Sequence, residues 1–512
     1  MFFSIILALV LGFLAYLYAS LVIKPRKIRK ILRQQGIDGP PPKILVGNIL
    51  EIKKAIDAAE KTFLHRPQPP PLIHDTATVF PFLEQWRKQY GPVYAFSLGK
   101  MQIVYVNDPD LVKEIATSTS MDLGKPSYQQ TELGPLLGHG ILTLNGSVWA
   151  RQRKIMAPQL FMDKVKGMMS IITESALTLV NSWNDIIEAN EGGSTAVDIS
   201  VDDYLKKISG DLISRACFGG SYSKGEEIFL KLESLQEFIS KKAMSIGIPG
   251  LRYLPTKSNR KIWELEKEIK ELILKVVKER REGDGYEKDL LQKLLEGAKS
   301  DYATSDEINR FIVDNCKNIY LAGFQTSAVS ASWCLMLLAS NPKWQTRVRD
   351  EVVEVCQGQI PDLDMLRKMK KLNMVIQETL RLYPPAPTLS REALEDMQIG
   401  DLWVPQGVIL WTMVATLHTD TDTWGPDALE FKPQRFKNGI VGACKSPSSY
   451  MPFGYGPRVC IGQQLAMVEL KLLMSLILSS FSFTLSPKYV HSPVMTIIVE
   501  PKHGVNILIK KL

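Results

Sequence analysis

The feature that most constrains the fold of this chain is one long apolar-rich run near its middle. Thr304 and Glu307 have the spacing of a helix capping box, and the run after them continues to Asn341 and Pro342, where a helix must end. As a single helix this run would be about 50 Å long, well above the usual length in globular proteins. We therefore predict a central helix that crosses the whole domain; two helices that break near Gly323 are the alternative.

The N-terminus has the length and the flanking charges of a membrane anchor. Residues 1–23 carry no charged side chain, and as a helix of about 34 Å they would cross a hydrocarbon layer of about 30 Å. A basic cluster follows, with no acidic residue among its members: Lys24, Arg26, Lys27, Arg29, Lys30 and Arg33. A cleaved signal peptide, the alternative, would carry its positive charge before the apolar core. We therefore predict an uncleaved transmembrane helix at 1–23, with the remaining chain on the cytosolic side.

Composition excludes several classes of protein. With 45% apolar and 23% charged residues, the chain of 512 residues can bury a large core and is neither disordered nor a small disulfide scaffold. Removing the six cations of the basic cluster from the net charge of +8 leaves only +2, so no nucleic-acid-binding surface is predicted. The six cysteines form no C-x-x-C pair and the six histidines no H-x-x-x-H pair, which argues against a disulfide framework and a zinc hydrolase.

The strongest local signal is a cysteine in a glycine-rich loop, FGYGPRVCIG (453–462). Glycines on both sides of Cys460 let the backbone approach a flat ligand closely. The sequence after Gly462 predicts a helix, so the sulfur would lie at a helix N-terminus, where the dipole and the free N–H groups favour the thiolate. A thiolate in such a loop can serve as the axial ligand of haem iron; a structural cysteine in a turn is the alternative.

The pattern F-G-x-G-x-R-x-C-x-G resembles the haem-binding loop of the cytochrome P-450 monooxygenases. Four further segments resemble motifs of that family in the same order: WARQR (149–153), AGFQTS (322–327), ETLR (378–381) and FKPQRF (431–436). The resemblance covers essentially the whole chain and implies a mainly α fold with small β-sheets. It also implies a single globular body at 43–512, behind the transmembrane helix and a basic, proline-rich hinge at 24–42, although length alone suggests about three domains. A second proline-rich stretch, 66–71, is predicted to be a loop.

The resemblance implies a haem b cofactor and assigns residues to it. Cys460 would be the iron ligand, and Phe453 would pack beside the sulfur and shield it from water. Four residues would reach the haem propionates, where the planar fork of arginine in particular suits a carboxylate: Trp149, Arg153, Arg391 and Arg458. Three others would form a buried ion network behind the haem, which fixes the loop geometry and takes no part in bond chemistry: Glu378, Arg381 and Arg435.

On the central helix, the resemblance implies the place of oxygen activation. Ala322 and Gly323 would leave space for O2, and the hydroxyl of Thr326 would relay protons. The alternative for Thr326 is the common bond from a helical threonine to its own i−4 carbonyl. Most relatives carry an acid before this threonine, but here the residue is Gln325, whose amide cannot ionise although it can orient water.

Within the family, the chain resembles the plant group that oxidises gibberellins and related terpenoid acids. The closer likeness lies in four segments: 217–229, 313–323, 331–339 and 482–493. It implies a lipophilic terpenoid acid as substrate, of the gibberellin or ent-kaurenoic type, with a pentacyclic triterpenoid acid as the alternative. The pocket would be formed by the central helix and by segments near 118–138, 238–250, 385–391 and 491–496. Phe324, Leu389 and Val494 are candidate walls, and core packing is the alternative for each of them.

No pyridine-nucleotide or flavin motif is evident, so electrons must come from another protein. The resemblance implies NADPH–cytochrome P-450 reductase, so that NADPH acts only indirectly, and it places both proteins in the endoplasmic reticulum membrane. Three lysines are candidate contacts for the acidic reductase, with solvated helix charges as the alternative: Lys154, Lys164 and Lys166. Two other classes are alternatives, a reductase-independent haem-thiolate isomerase or dehydratase and a non-catalytic haem protein. Thr326 and the anchor argue against the isomerase.

Overall fold

The computed structural model of this chain describes residues 2–64, 79–190, 196–219, 222–242, 246–248, 250–282 and 289–512. The proline-rich stretch 66–71, predicted to be a loop, lies outside these residues. Helices account for most of the described chain, and the strands form small sheets. The predicted mainly α fold with small β-sheets is therefore confirmed.

The helices form the bulk of the molecule. In chain order, those before the central helix are α1 Phe2–Tyr18, α2 Lys24–Gln34, α3 Ile49–Leu64, α4 Pro81–Tyr90, α5 Pro109–Thr117, α6 Ser127–Thr131, α7 Gly134–Leu137, α8 Gly146–Met156, α9 Met162–Gly167, α10 Met169–Ala189, α11 Asp202–Phe218, α12 Tyr222–Ser240, α13 Lys257–Glu282 and α14 Leu290–Asp301. The central helix and those after it are α15 Ser305–Ser340, α16 Pro342–Cys356, α17 Leu363–Lys368, α18 Lys370–Leu382, α19 Val414–His418, α20 Thr421–Trp424, α21 Gly439–Ala443 and α22 Gln463–Ser480.

The strands are β1 Val93–Leu98, β2 Met101–Val106, β3 Leu123–Gly124, β4 Val197–Ser200, β5 Thr388–Ala393, β6 Met397–Ile399, β7 Leu402–Val404, β8 Ile409–Met413, β9 Phe481–Leu485, β10 Pro493–Met495, β11 Val499–Pro501 and β12 Asn506–Lys511. A five-stranded sheet has the order β1-β2-β8-β5-β3, and a three-stranded sheet has the order β4-β12-β9. β6–β7 and β10–β11 are antiparallel pairs. In the larger sheet β2 and β8 run parallel, with Ile103 opposite Ile409.

The central helix α15 is unbroken, which confirms the prediction of one long helix and makes the alternative of a break near Gly323 wrong. Its N-terminus carries the predicted capping box. The hydroxyl oxygen of Thr304 accepts the amide N–H of Glu307 at 3.2 Å, and the Glu307 carboxylate accepts the amide N–H of Thr304 at 3.1 Å. Asn341 ends the helix, and Pro342 begins the next one.

The main core is built around α15. Helix α11 packs against it so closely that a Cβ on Gly323 would lie 2.5 Å from Cδ1 of Ile213. Further along α15, the indole of Trp333 stacks on Tyr383 with ring centroids 4.3 Å apart, and it donates its N–H to the carbonyl of Val499 in β11 at 3.1 Å. α15 is therefore the axis on which helices from both halves of the chain and the β10–β11 pair converge.

The five-stranded sheet is covered on both faces, because successive side chains of a strand point in opposite directions. Tyr94 and Phe96 of β1 pack with Trp86 of α4 on one face. Ala95 points to the other face, where it joins a second apolar cluster that includes Leu32 of α2. The helix that follows the apolar N-terminus is thus part of the globular body.

Two described helices are long and apolar enough to cross a membrane. In α15 the most apolar window is 83% buried, so α15 is a core helix; in the N-terminal helix Phe2–Gln34 none of that window is buried. A π-helical turn, Ala19–Ile23, joins α1 to α2, so the helix continues past residue 23. Arg29 then donates hydrogen bonds to the carbonyls of Pro40 at 2.8 Å and Ala95 at 2.7 Å. These bonds dock the basic segment on the sheet, and the hinge at 24–42 stays a prediction about motion.

Candidate active site

The loop before α22 holds Cys460 in a fixed backbone frame. The amide N–H of Cys460 donates to the carbonyl of Phe453 at 2.9 Å, which closes the loop on itself. Gly456 has a φ of +72°, and a Cβ at this position would lie 2.2 Å from the carbonyl oxygen of Ala116 in α5. Only glycine fits both the conformation and the contact. Because the Phe453 ring packs against the main core, the loop is pinned between α5 and the core.

Cys460 is an exposed residue, although protein atoms surround its sulfur closely enough to affect its pKa. The N–H groups of Gly462 and Gln463 at the start of α22 hydrogen-bond the sulfur, as predicted for a helix N-terminus. Burial nevertheless raises the pKa of the Cys460 thiol, and these bonds and the Arg153 charge only partly offset it. The expected contribution of the helix N-terminus is therefore present, but burial has the larger effect on the pKa of the thiol. Coordination to a metal ion deprotonates a thiol outright.

The middle of α15 is accessible to solvent at the predicted oxygen position. Between residues 311 and 339, which are all described, the positions that are not buried are Ala322, Gly323 and Thr326. Their spacing of i, i+1 and i+4 places them on one side of the helix. We call these three residues the open face of α15. Gly323 has a second reason to be glycine, namely its contact with Ile213.

Thr326 and Gln325 have different surroundings. The Thr326 hydroxyl donates to the carbonyl of Ala322 at 2.7 Å, which is the i−4 bond that the sequence analysis kept as its alternative role. Its oxygen can still accept a hydrogen bond from a donor outside the helix. Gln325 is only 4% exposed, so its amide does not line the opening beside Thr326. The proton-relay role of Thr326 and any role of Gln325 stay predictions.

Helix α8 brings two predicted haem contacts to the cysteine loop. Arg153 donates to the carbonyl of Val459, the residue before Cys460, at 2.8 Å. The Arg458 guanidinium lies over the indole of Trp149, 4.1 Å from the ring centroid, and the Arg153 guanidinium lies 5.7 Å from it. Trp149, Arg153 and Arg458 therefore lie together beside the loop that holds Cys460.

Arg391 of β5 and Lys125, a residue that the sequence analysis missed, extend this group of cations. Burial and mutual repulsion lower the pKa of Arg391 and of Arg458 to about 10, and that of Lys125 well below its usual value. No carboxylate of the described residues acts on any of these three pKa values. We call Lys125, Arg153, Arg391 and Arg458 the cation cluster.

The chemistry of these residues fits the predicted haem. Buried cations without an anionic partner are costly, so this donor set suits a ligand that brings carboxylates of its own, such as the two propionates of haem. The accessible thiol of Cys460 beside the cluster is a suitable axial ligand. The open face of α15 presents only small side chains, which leaves room at the helix.

Asn145 organises the cation cluster and was also missed. Its side-chain oxygen accepts the amide N–H of Lys125 at 2.5 Å and an N–H of Arg458 at 3.1 Å, and its amide donates to the Lys125 carbonyl at 3.0 Å. A Cβ on Gly124 would lie 2.6 Å from the Asn145 side chain. Asn145 occupies the N-cap position of α8, yet its side chain makes no cap bond. An asparagine before a helix is typical of a cap, so the sequence carried no signal for this role.

The E-x-x-R motif on α18 forms the predicted buried network. Arg381 binds Glu378 with two hydrogen bonds of 2.7 and 2.9 Å, and both side chains are fully buried. Arg435 lies farther away, with its Nε 3.7 Å from Glu378, and it binds Asp427 at 2.9 Å. The other N–H groups of Arg381 donate to backbone carbonyls. Each charged group in this Glu378 network thus has a partner of opposite charge within the chain.

His418 joins the Glu378 network to the cysteine loop, and the sequence analysis missed it. Its Nε2 accepts the amide N–H of Met451 at 3.0 Å, so its proton lies on Nδ1, which is 3.0 Å from the carbonyl of Arg381. Burial, with the Arg381 charge as a second cause, lowers the pKa of His418 to about 3. A neutral histidine therefore connects α18 to the backbone two residues before Phe453.

Two of the predicted pocket segments, 118–138 and 238–250, meet at a cavity of about 220 Å³. It is lined by apolar side chains and by charges of both signs, among them Leu133, Ile239, Trp263, Lys242, Arg252, Glu132 and Glu266. The proposed wall residue Phe324 is instead 2% exposed, and its ring packs on Phe229 with centroids 4.7 Å apart, so it belongs to the core. Leu389 and Val494 are half-buried, and their roles stay predictions.

Comparison with known proteins gives one consistent result. The cytochrome P-450 family model matches residues 71–507. The chain is 49% identical to cytochrome P-450 714C2 of Oryza sativa subsp. japonica, over 97% of this chain and 96% of that protein. It is 44% identical to cytochrome P-450 714A2 of Arabidopsis thaliana, over 96% and 94% of the two chains, and 44% identical to cytochrome P-450 714B3 of Zea mays, over 98% and 94%.

Proposed function

This chain belongs to the cytochrome P-450 family, and we propose that it inserts one oxygen atom from O2 into a terpenoid acid of the gibberellin or ent-kaurenoic type. Its class, a haem b monooxygenase that receives electrons from NADPH through a reductase, follows from the family. The observation that supports the site assignment best is the meeting of the accessible Cys460 with a cation cluster that no carboxylate of the described chain neutralises.

The chain's own residues would hold the cofactor and manage protons around it. When bound, haem supplies the oxidative chemistry, while the protein supplies the ligand, the orientation and the exclusion of water. Cys460 would ligate the iron, and the cation cluster would bind the propionates. Ala322 and Gly323 would leave room for O2, and the Thr326 hydroxyl would hold a proton at that face.

Gln325 stands where most relatives carry an acid, so proton delivery would run through Thr326 and ordered water. We expect Gln325→Glu to change the coupling ratio, which is the amount of product formed per NADPH consumed, more than it changes haem content. The reason is that the new carboxyl can ionise whereas the amide cannot. An unchanged ratio in parallel NADPH-consumption and product assays would show that the amide is incidental.

The substrate class is supported by likeness and by the character of the pocket region. Four segments resemble the plant group that oxidises gibberellins and related acids. The cavity between segments 118–138 and 238–250 combines Leu133, Ile239 and Trp263 with charged side chains of both signs, which suits a lipophilic substrate that also carries a polar group. A pentacyclic triterpenoid acid has the same chemical character and is the second candidate.

Membrane attachment and the redox partner form the cellular part of the proposal. The unburied apolar helix at the N-terminus supports a single-pass anchor in the endoplasmic reticulum membrane, with the catalytic body in the cytosol. NADPH–cytochrome P-450 reductase would be the electron donor. Lys154, Lys164 and Lys166 are exposed on α8 and α9, and α8 contacts the cysteine loop through Arg153, so these lysines are suitably placed for an acidic partner. Protease added to intact microsomes should digest the body; full protection would contradict the orientation.

The decisive experiment expresses the full chain in microsomes with a plant reductase. Mass spectrometry then follows a panel of gibberellins, ent-kaurenoic acid and triterpenoid acids. We expect an oxygenated product that depends on NADPH, and none from a Cys460→Ala variant. Conversion without NADPH would instead support a haem-thiolate isomerase or dehydratase. No turnover of any lipophilic acid by a preparation with a normal reduced carbon-monoxide spectrum would favour a non-catalytic haem protein.

A further inference from the structure

The first half of α15 carries four polar side chains that the proposed reaction does not use: Asp314, Asn315, Lys317 and Asn318. Positions i, i+1, i+3 and i+4 lie on one side of a helix. All four are more than nine-tenths buried. Since buried polar groups need hydrogen-bond partners, each must have a defined contact. We call the four residues the polar clasp.

The partners of the polar clasp lie in one short stretch of backbone, residues 138–145, which joins α7 to α8 and which we call the clasped loop. Three successive side-chain oxygens accept amide N–H groups of this loop: Asp314 accepts that of His139 at 2.8 Å, Asn315 that of Ile141 at 3.0 Å, and Asn318 that of Leu142 at 3.0 Å. Irregular backbone that is buried would otherwise leave these donors unpaired.

The polar clasp also binds the end of α7 and balances its own charge. The Asn318 amide donates to the carbonyl of Leu137 at 2.7 Å. Lys317 donates to the carbonyl of Pro135 at 3.2 Å and pairs with Asp314 at 3.0 Å. The polar clasp therefore binds the end of α7 as well as the clasped loop. The charges of Lys317 and Asp314 neutralise each other.

Two glycines make this close approach possible. A Cβ on Gly140 would lie 2.5 Å from the side-chain oxygen of Asn318, and a Cβ on Gly138 would lie 2.2 Å from that of Asp314. Gly138 also has a φ of +57°, which other residues rarely adopt. The glycines of the loop and the polar side chains of α15 thus form one matched contact.

The far end of the clasped loop is the binding place for Arg458. One N–H of Arg458 donates to the Leu144 carbonyl at 3.0 Å, and another donates to the side chain of Asn145 at 3.1 Å. Helix α8, which carries Trp149 and Arg153, begins at the next residue. A shift of the clasped loop along α15 would therefore move the residues that face the haem propionates.

We propose that the polar clasp is a positioning device: Asp314, Asn315 and Asn318 set the register of the clasped loop against α15 and thereby place Arg458 and the start of α8 for haem binding. These residues do not touch the cofactor, and they act through Arg458, Trp149 and Arg153. The inference rests on the propionate roles proposed above for those three residues.

The test compares purified full-length holoenzymes of Asn318→Ala, Gly140→Ala and the double variant. The rate of haem transfer to excess apomyoglobin is measured, together with the midpoint potential and hydrogen exchange of the amides of 138–145. Each single variant should speed haem loss by about 10- to 100-fold, the usual range for residues one contact removed from a cofactor ligand. The effects should be partly non-additive in the double variant, because removing the Asn318 side chain relieves its contact with the new methyl group of Gly140→Ala, whereas the contact of that methyl group with the Asp314 carbonyl oxygen, at 2.8 Å, remains.

Ser340→Ala is the matched control, because its hydroxyl bonds only its own i−4 carbonyl in the same helix at 2.8 Å. Faster exchange confined to the clasped loop supports the proposal. The proposal is overturned if folded Asn318→Ala loses haem no faster than the control, or if exchange rises equally in all helices, which would indicate general destabilisation. Arg458→Leu distinguishes failure of the propionate roles from failure of the polar clasp. Normal haem retention in Arg458→Leu would overturn the propionate roles. Rapid haem loss in Arg458→Leu, together with normal retention in Asn318→Ala, would overturn only the positioning role of the polar clasp.

Discussion

The Glu378 network and the cation cluster both contain buried and half-buried arginines, but their charges are balanced in different ways. In the network, Arg381 is fully buried and binds Glu378 through two hydrogen bonds, and further N–H groups reach backbone carbonyls. In the cluster, Arg391 and Arg458 lie near other cations, and burial with mutual repulsion lowers their pKa to about 10. The pKa of Lys125 is lowered in the same way.

This difference separates arginines that hold the fold together from those that suit an external anion. A buried ion pair whose partners both belong to the chain is complete without a ligand, and removing one partner leaves an uncompensated charge. A group of cations without a carboxylate is stabilised when an anionic ligand enters, so part of its favourable energy appears only on binding. Mutations in the Glu378 network should therefore reduce the stability of the fold, whereas mutations in the cation cluster should mainly weaken haem binding. Four experiments test this difference and the individual contacts of the network.

The largest effect should come from Glu378→Gln. This change leaves the fully buried guanidinium of Arg381 without a counter-charge, at a cost of about 3–5 kcal/mol. That is a large part of the stability of a typical protein, so the variant should fail to retain haem. Haem content and thermal unfolding of the purified protein measure the effect. Glu430→Gln is the control, because the Glu430 side chain is 64% exposed; normal haem content in Glu378→Gln would contradict the structural role.

The next effect should come from Arg458→Leu, in the cation cluster. Removing this cation relieves repulsion on its neighbours, so the helical fold should be retained better than in Glu378→Gln. Haem binding should weaken by about 10- to 100-fold. Far-ultraviolet circular dichroism reports the fold, and transfer of haem to apomyoglobin reports retention. Loss of helical signal as severe as in Glu378→Gln would mean that the two clusters do not differ.

The third effect is a dependence of folding stability on pH that is caused by protonation of His418. Its pKa is about 3 in the folded protein and 6.5 in the reference state, so below pH 6.5 the unfolded chain binds the proton more readily. The stability it contributes is full above pH 6.5 and is lost as the pH falls towards 3, by up to about 1.4 kcal/mol per pH unit. Unfolding of wild type and His418→Gln at pH 5, 6 and 7 should give a difference that shrinks as the pH falls.

The quantity to compare is the difference in the free energy of unfolding between wild type and His418→Gln, because other groups titrate in the same pH range. Burial raises the pKa of Glu469 to about 7, so its contribution to stability is lost as the pH rises from 4.5 through 7, which is the opposite sign. Glu469 is present in both proteins and cancels from the comparison. A difference that does not change with pH would show that His418 is not the neutral link between the network and Met451.

The smallest effect should come from Asp427→Asn, at the rim of the Glu378 network. Asp427 binds Arg435 at 2.9 Å, but its side chain is 31% exposed, so solvent screens the pair. We expect a loss of less than about 1 kcal/mol in the free energy of unfolding, with normal haem content. Chemical unfolding measures it. If Asp427→Asn lost as much free energy of unfolding as Glu378→Gln, then Arg435, which binds Asp427, would be the main counter-charge of Glu378 in place of Arg381.

The sequence predicted the contacts of a residue where its partners lie within a few positions along the chain. The capping box of α15, the loop around Cys460 and the pair of Glu378 with Arg381 all depend on neighbours within a few positions, and all are present. Lys125, Asn145 and His418 were missed for the opposite reason. Asn145 and Arg458, for example, are 313 positions apart. A single lysine, asparagine or histidine has no pattern that marks such a contact.

At two positions the sequence allows two opposing outcomes. The helix N-terminus does donate N–H groups to Cys460, but burial outweighs them and raises the pKa of the thiol. Phe324 is adjacent to the open face of α15, yet it turns into the core against Phe229. In both places, the packing of distant elements decided the result.

By itself, the sequence determined the apolar N-terminal helix, the long central helix and the glycine-rich loop around Cys460 of this cytochrome P-450, because helix length, capping and glycine geometry are properties of contiguous residues. Only the tertiary structure decided which buried arginines are neutralised within the chain and which suit the carboxylates of a cofactor. The physical reason is that electrostatic energy depends on distance and burial, and both are set by contacts between residues that are hundreds of positions apart.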